Sequence, residues 1–204
     1  ATNSNIIEVF SIDGQRLGIY SYYELYGYRI DYRDGYVSAI HWSKDGRYLY
    51  ITTSLGGDGG PTLGLDYEEA LIRVNLKNGT WEDTGISGVI SFSPTDQYIA
   101  YSPVNSEIRV IDLQSSAETS YDTADYYHYF SKFLWSPTGR KIIFAALPED
   151  WFEAEDATSS LYLIDLDRKA TYKLFESTYP FYYPVSWTET DKITLNNFNE
   201  FGEW

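Results

Sequence analysis

The chain repeats one pattern of apolar and polar positions four times. Each copy has an aromatic residue, then Ser or Thr, then a short polar turn, and then an alternating apolar run. Alternation with a period of two is typical of β-strands, and no stretch has the apolar spacing of a long amphipathic helix. The aromatic markers of the four copies are Trp42, Phe92, Trp135 and Trp187. The pattern therefore predicts an all-β protein.

The spacing of the markers predicts the kind of repeat. Successive markers are 50, 43 and 52 residues apart, a period typical of propeller blades and solenoid units. Each first apolar run is followed by a second one and by a hairpin such as LIRVNLKNGTW, which closes at Asn-Gly. A full copy therefore supplies four strands. Three full copies are predicted, over residues 37–85, 88–122 and 130–176.

The two ends of the chain each hold half of a copy. Residues 5–22 have the pattern of the last two strands of a unit, and residues 182–199 have that of the first two. Pairing the halves in one sheet would remove the two open edges of a linear array. The sequence predicts a single β-propeller domain over residues 1–204, with four blades closed by this pairing. A partial propeller, or one completed by a second chain, is the alternative.

The repeat resembles the WD-repeat-like unit of the TolB type, whose form is roughly W-S-P-D-G-x-x-I-A-F. WSKDG from Trp42 and WSPTG from Trp135 match it best, FSPTD from Phe92 is looser, and WTETD from Trp187 diverges most. The resemblance covers nearly the whole chain. It implies a propeller fold, a marker residue packed between blades, and a periplasmic or secreted location. Propellers of this type usually have six or more blades, whereas this chain has material for four, and the fold alone does not define a function.

Composition excludes several functions. The chain has 15 Lys and Arg against 30 Asp and Glu, a formal net charge of −15, and it has no basic cluster that could neutralise a phosphate backbone. We therefore predict no nucleic-acid partner. The absence of Cys excludes disulfides, thiolate metal sites and a Cys nucleophile. No apolar stretch is long enough to cross a bilayer, so no direct membrane insertion is predicted.

The long predicted connections open on one face of the predicted ring. They join the second strand to the third at Ser54 to Glu69 and Ala146 to Ser160, and they join units at Ser21 to Tyr36, Tyr121 to Phe130 and Glu176 to Pro184. Tyr and Trp combine a large apolar contact area with a polar group, which suits recognition surfaces. The candidate partner-binding residues are Tyr23, Tyr26, Tyr28, Asp58, Asp66, Tyr126, Tyr127, His128, Tyr129, Trp151, Phe152, Tyr179, Phe181 and Tyr182.

Catalytic motifs are not found in the sequence. It contains no G-x-S-x-G, no H-E-x-x-H and no phosphate-binding glycine loop. His128 would need an orienting carboxylate such as Asp122 or Asp125 to act as a base, and a lone His in an aromatic segment is more typical of a surface residue. We predict no catalytic residue, no metal site and no cofactor.

These observations favour a non-enzymatic binding or scaffold module, monomeric with a dimer as the alternative, that recognises a protein, peptide or glycan. Two other classes stay open. A carbohydrate-active enzyme could use carboxylates of the acidic connections, such as Glu149 and Glu153, as its acid and base. The chain could also be the propeller domain of a larger, peptidase-like protein.

Overall fold

A computed structural model describes most of the chain as β-strands. The described residues are 6–21, 24–25, 35–55, 68–103, 107–122, 127–130, 132–148, 158–178 and 181–198. The first two strands, β1 (Ile6–Phe10) and β2 (Arg16–Ser21), pair antiparallel as an N-terminal hairpin.

Three antiparallel sheets follow, and each runs along the chain as a meander. The first sheet contains β3 (Gly35–Trp42), β4 (Tyr48–Leu55), β5 (Glu68–Asn75) and β6 (Trp81–Asp83), in that order. Its adjacent strands are neighbours in sequence, as in a propeller blade.

The second and third sheets repeat this order. The second contains β7 (Val89–Phe92), β8 (Tyr98–Ser102), β9 (Ile108–Asp112) and β10 (Glu118–Tyr121). The first position of the third sheet is divided between two strands, since both pair with the same neighbour. This sheet contains β11 (Tyr127–Phe130), β12 (Leu134–Trp135), β13 (Lys141–Pro148), β14 (Thr158–Asp165) and β15 (Ala170–Thr178).

The last two strands, β16 (Phe181–Trp187) and β17 (Ile193–Phe198), form a C-terminal hairpin. The three sheets begin and end within three residues of the predicted ranges, and the all-β prediction is confirmed. The chain divides into two compact units, one with β1 to β6 and the other with β7 to β17. The single domain and the fourth blade closed by the chain ends stay predictions, since the described strands of the two hairpins form two-stranded sheets.

The repeated motif builds one kind of turn between the first and second strand of each sheet and in the C-terminal hairpin. Its first hydroxyl accepts a hydrogen bond from a backbone N–H at the start of the next strand, for example Tyr48 N to Ser43 Oγ at 2.9 Å and Lys141 N to Ser136 Oγ at 3.0 Å. The fourth turn residue donates its N–H back to the first carbonyl and has a left-handed backbone. These fourth residues are Gly46, Asp96, Gly139 and Asp191. The motif thus specifies a hairpin geometry.

The aromatic markers differ in burial. Trp135 is 7% exposed and stacks on Tyr98 of the second sheet with ring centroids 6.3 Å apart, as the TolB-type repeat implies. Trp42 is 48% exposed, so the expected packing does not extend to every marker. The Trp187 indole donates to Asp191 Oδ1 at 3.3 Å. At Trp135 the corresponding turn residue is Gly139, and the buried Nε1 of Trp135 has no hydrogen-bond partner among the described residues.

Each unit has its own apolar core. In the β7 to β17 unit, Phe144 lies at the centre, edge-on to Phe133 at 5.8 Å and stacked on Tyr162 at 5.5 Å between centroids. The opposite face of the third sheet packs against the C-terminal hairpin, so the third sheet is covered on both faces. In the other unit the N-terminal hairpin packs on the first sheet, through Val9, Tyr20, Leu49, Ile51, Ala70, Ile72 and Val74.

Candidate functional site

The structure describes five of the predicted partner-binding residues. They are Tyr127, His128, Tyr129, Phe181 and Tyr182. The other nine lie outside the described residues: Tyr23, Tyr26, Tyr28, Asp58, Asp66, Tyr126, Trp151, Phe152 and Tyr179.

The predicted loop position of Tyr127, His128 and Tyr129 is wrong. They belong to β11, where Tyr127 lies opposite Pro148 and Tyr129 opposite Leu147 of β13, with an irregularity between them. Aromatic residues favour strands wherever a neighbouring strand is long enough to pair with them, and β13 extends to Pro148. The polar and aromatic composition of this segment is thus compatible with a strand.

The predicted connection from Glu176 to Pro184 is also mostly strand. β15 continues to Thr178 and β16 begins at Phe181, so Phe181 and Tyr182 start a strand rather than ending a loop. The predicted connections Ser54 to Glu69 and Ala146 to Ser160 are shortened in the same way, because β4, β5, β13 and β14 extend into them. The central part of both connections lies outside the described residues.

The five described candidates lie at the starts of two strands, one in the third sheet and one in the hairpin that packs on that sheet. Tyr127 starts β11 of the third sheet, and Phe181 starts β16, which packs on that sheet. We call this edge of the β7 to β17 unit the loop end. The strand pairs that reach it end with the residue pairs Tyr127 with Pro148, Thr158 with Thr178, and Phe181 with Phe198. The structure therefore gathers these candidates on one edge of one unit.

Hydrogen-bonding groups accompany the aromatic residues near the loop end. The half-buried ring of Tyr182 meets Phe175 edge-on, with centroids 6.3 Å apart. Thr158 Oγ1 donates to Glu176 Oε1 at 3.2 Å, and Asn196 Nδ2 donates to Tyr183 OH at 2.9 Å. An apolar ring beside amide, hydroxyl and carboxylate groups suits recognition of a polar partner.

A cavity of about 380 Å³ lies among the first strands of this unit and was not predicted from the sequence. Two segments of the chain that line this cavity are joined by a hydrogen bond, in which the Ser91 hydroxyl donates to the Phe133 carbonyl at 3.0 Å. The position of these residues beside the repeat markers was the only sequence signal for it. Its lining is mainly apolar and consists of Ser91, Phe92, Pro94, Lys132, Phe133, Leu134, Trp135, Pro184 and Val185.

The carboxylates with perturbed pKa values are turn residues. Hydrogen bonds from the Arg47 N–H and the Ser43 hydroxyl, with the adjacent guanidinium, lower the pKa of Asp45 to about 2. Arg140 lowers the pKa of Asp167. Burial raises the pKa of Asp112, but hydrogen bonds from Ser115 and Gln114 outweigh it and the net shift is downward. These groups stay ionised and do not suit general acid catalysis.

Metal-ligating side chains are not clustered in the part of the chain that the structure describes. No group of three or more His, Asp or Glu residues there could hold an ion. Within the same residues, no helix has the length and apolar character needed to span a membrane.

Comparison with known proteins identifies the fold. No family model matches the chain, and no curated protein matches it. Oligogalacturonate lyase from Vibrio parahaemolyticus is 12% identical with a TM-score of 0.52, over 89% of this chain and 50% of its own. Acylaminoacyl peptidase from Pyrococcus horikoshii is 14% identical with a TM-score of 0.51, over 82% of this chain and 32% of its own.

TolB from Acinetobacter baumannii is also similar, 15% identical over 96% of this chain and 47% of its own, with a TM-score of 0.46. The chain spans half or less of the length of these solved structures. The lyase and the peptidase, with TM-scores above 0.5, contain β-propellers, and the chain has a β-propeller fold of the kind that its repeat predicts. At these identities the likeness is one of fold.

Proposed function

We propose that the chain is a non-enzymatic binding module that recognises a protein, peptide or glycan through the loop end. The observation that supports this is the position of the five described candidates at the start of β11, in the third sheet, and of β16, in the hairpin that packs on that sheet. Binding residues commonly lie on segments that a rigid scaffold presents at one edge. The scaffold here is the third sheet, which is covered on both faces.

The charge of the chain restricts the chemical class of partner that it can bind. A net charge of −15 favours basic surfaces and disfavours anionic ones. A Lys-rich peptide or a basic protein surface would gain from this field, whereas a neutral glycan would depend on aromatic contact instead. The proposal includes no nucleic-acid partner and a location outside the cytoplasm, which the TolB-type repeat implies.

Binding of defined probes tests the proposal. The chain would be immobilised and exposed to Lys-rich peptides and to neutral oligosaccharides, with affinity measured by biolayer interferometry. Tyr182→Ala should lower the affinity for whichever probe binds by roughly tenfold or more, the loss typical of an aromatic anchor. The matched control is Tyr172→Ala, which removes an exposed tyrosine of β15. An equal effect of both variants, or no binding of either probe class, would contradict the proposal.

Salt distinguishes the two partner classes. Affinity for a Lys-rich peptide should fall steeply as salt rises, because exposed charges are screened beyond about 10 Å at 0.1 M ionic strength. Affinity for a neutral oligosaccharide should change little. Conversion of a bound oligosaccharide into product would support the carbohydrate-active alternative instead.

A further inference from the structure

The outermost strand of the third sheet is unusually long. β15 has nine residues, whereas the outermost strands of the other two sheets, β6 and β10, have three and four. Residues 172–176 of β15 are all exposed. Among the described strands, β15 pairs only on its β14 side. A long exposed edge presents a row of backbone N–H and C=O groups to which another strand can add.

A bulge in β15 determines which side chains share a face. Lys173 lies opposite Tyr162 and Phe175 lies opposite Leu161, so Leu174 is an extra residue between them. Residues three apart in a regular strand point to opposite faces, but the extra residue places Lys173 and Glu176 on the same face. Their contact agrees, since Lys173 Nζ lies 3.2 Å from Glu176 Oε1.

We propose that β15 pairs antiparallel with β15 of a second copy of this chain, across a twofold axis at Phe175. Such an axis, normal to the sheet, requires that residues opposite each other share a face, and the bulge meets this requirement. Lys173 then faces Glu176 of the other copy, Thr171 faces Thr178, and Phe175 faces its own counterpart. Opposite charges, paired threonines and paired aromatic rings are all favourable neighbours across strands.

The charges select this register over the adjacent ones. Opposite residues share a face only when the twofold axis passes through a residue. The two adjacent axes of this kind each lie one ladder position away, and moving to either of them changes the partner of every residue by two positions. One such shift would place Lys173 opposite Lys173, and the other would place Glu176 opposite Glu176. Like charges directly opposite each other destabilise a strand pair. The register centred on Phe175 is therefore the favoured one of the three.

The dimer should be weak and should strengthen with salt. Edge pairing of one strand buries less than the roughly 1,200 Å² typical of stable interfaces. The two copies each have a net charge of −15 and repel each other. Raising the ionic strength to physiological values shortens the screening length from about 30 Å at 0.01 M to about 8 Å, which relieves this repulsion.

Two charge-reversal variants test the contact between copies. Lys173→Glu and Glu176→Lys each place like charges opposite each other in the proposed pair, so each alone should lose self-association in sedimentation equilibrium. Mixing them should restore association, roughly tenfold tighter than for either alone, because every opposed pair is again of opposite sign. Both variants lack the intrachain Lys173 to Glu176 pair, so mixing cannot act through that pair.

The controls separate this contact from other effects. The mixed dimer has the same total charge as the wild-type dimer, so net charge does not explain its recovery. Lys192→Glu, an equal change of charge in the C-terminal hairpin turn, should leave self-association within about twofold of the wild type, since one remote exposed charge acts weakly. A monomer at every concentration, a mixture no tighter than its components, or a dimer that persists in both variants would overturn the proposal.

Discussion

Gly46 and Gly139 occupy the same place in the repeated turn, but their surroundings differ. Both have a left-handed backbone with φ of 67°. A Cβ on Gly46 would meet nothing within 4 Å, whereas one on Gly139 would lie 2.8 Å from Thr95 Oγ1 and 3.2 Å from Thr95 Cγ2. The turn at Gly139 therefore has a packing requirement in addition to a conformational one.

We expect Gly139→Ala to destabilise the chain more than Gly46→Ala. Gly46→Ala should lower the free energy of unfolding by about 1–2 kcal/mol, the cost of a left-handed non-glycine residue. Gly139→Ala should cost a further 1–3 kcal/mol or so from overpacking. Denaturant unfolding measures both. In a Thr95→Ala background, the additional loss of unfolding free energy that Gly139→Ala causes relative to Gly46→Ala should shrink. If that additional loss stayed the same, Thr95 would not be its cause.

A second residue-scale prediction concerns pH. Because hydrogen bonds lower the pKa of Asp45 to about 2 in the folded chain, below the ordinary value of about 3.9, its ionised form favours the folded state. This contribution is fully present above about pH 4 and is lost as the pH falls through about 2. An NMR titration should show the Asp45 carboxyl of the folded chain with a pKa of about 2.

Asp45→Thr is the matched variant for this prediction, because Thr95, Thr138 and Thr190 hold the same position in the other turns. There the side chain contacts the turn hydroxyl at 3.1–3.2 Å. Asp45→Thr should keep the turn and remove this part of the pH dependence, whereas Asp45→Ala should lose both. An ordinary titration of Asp45 near pH 4 would contradict the prediction.

At the scale of elements, the burial of β13 distinguishes it from its neighbours. Residues 142–146 are all buried, since one face lies in the central core and the other packs on the C-terminal hairpin. β15, at the edge of the same sheet, is exposed over residues 172–176. Stability should therefore depend on the middle of each sheet far more than on its outer strand.

We expect Phe144→Ala to lower the free energy of unfolding by about 3–5 kcal/mol, because the cavity would be only partly refilled. Its ring is fully buried and contacts Phe133 and Tyr162. Phe144→Leu should cost less, as it retains most of the apolar volume. Ile12→Ala, at a fully exposed position, should change stability by less than about 0.5 kcal/mol. Equal losses for Phe144 and Ile12 would contradict this account of the core.

At the scale of the whole molecule, the sequence predicted the sheets more accurately than the surface. The markers and turns recur with every sheet, since local hydrogen bonds at Ser43, Ser93 and Ser136 close the hairpins wherever the motif occurs. Strand ends depend instead on how far the partner extends. Tyr127 is in a strand because β13 reaches Pro148, and this tertiary pairing overrides the loop-like composition of the segment.

The candidate site could be predicted by residue type but not by geometry. Tyr182 and Phe181 were identified as aromatic residues near a connection, and the structure places them at the start of β16. The cavity beside Phe133 and Trp135 could not be predicted, because it depends on the spacing of three first strands. The bulge at Leu174 also has no local sequence signal, since it is visible only in the pairing with β14.

The repeated turn has a consequence for how such a chain can change over generations. Its geometry depends on a hydroxyl at the first position and a left-handed residue at the fourth, while the two positions between them tolerate three combinations: Lys44 and Asp45, Pro-Thr at both 94–95 and 137–138, and Glu189 and Thr190. A duplicated or deleted copy of the unit would still close its own hairpin. Duplication or deletion of units in the gene can therefore change the number of repeats while the turn in each remaining unit still forms in the same way.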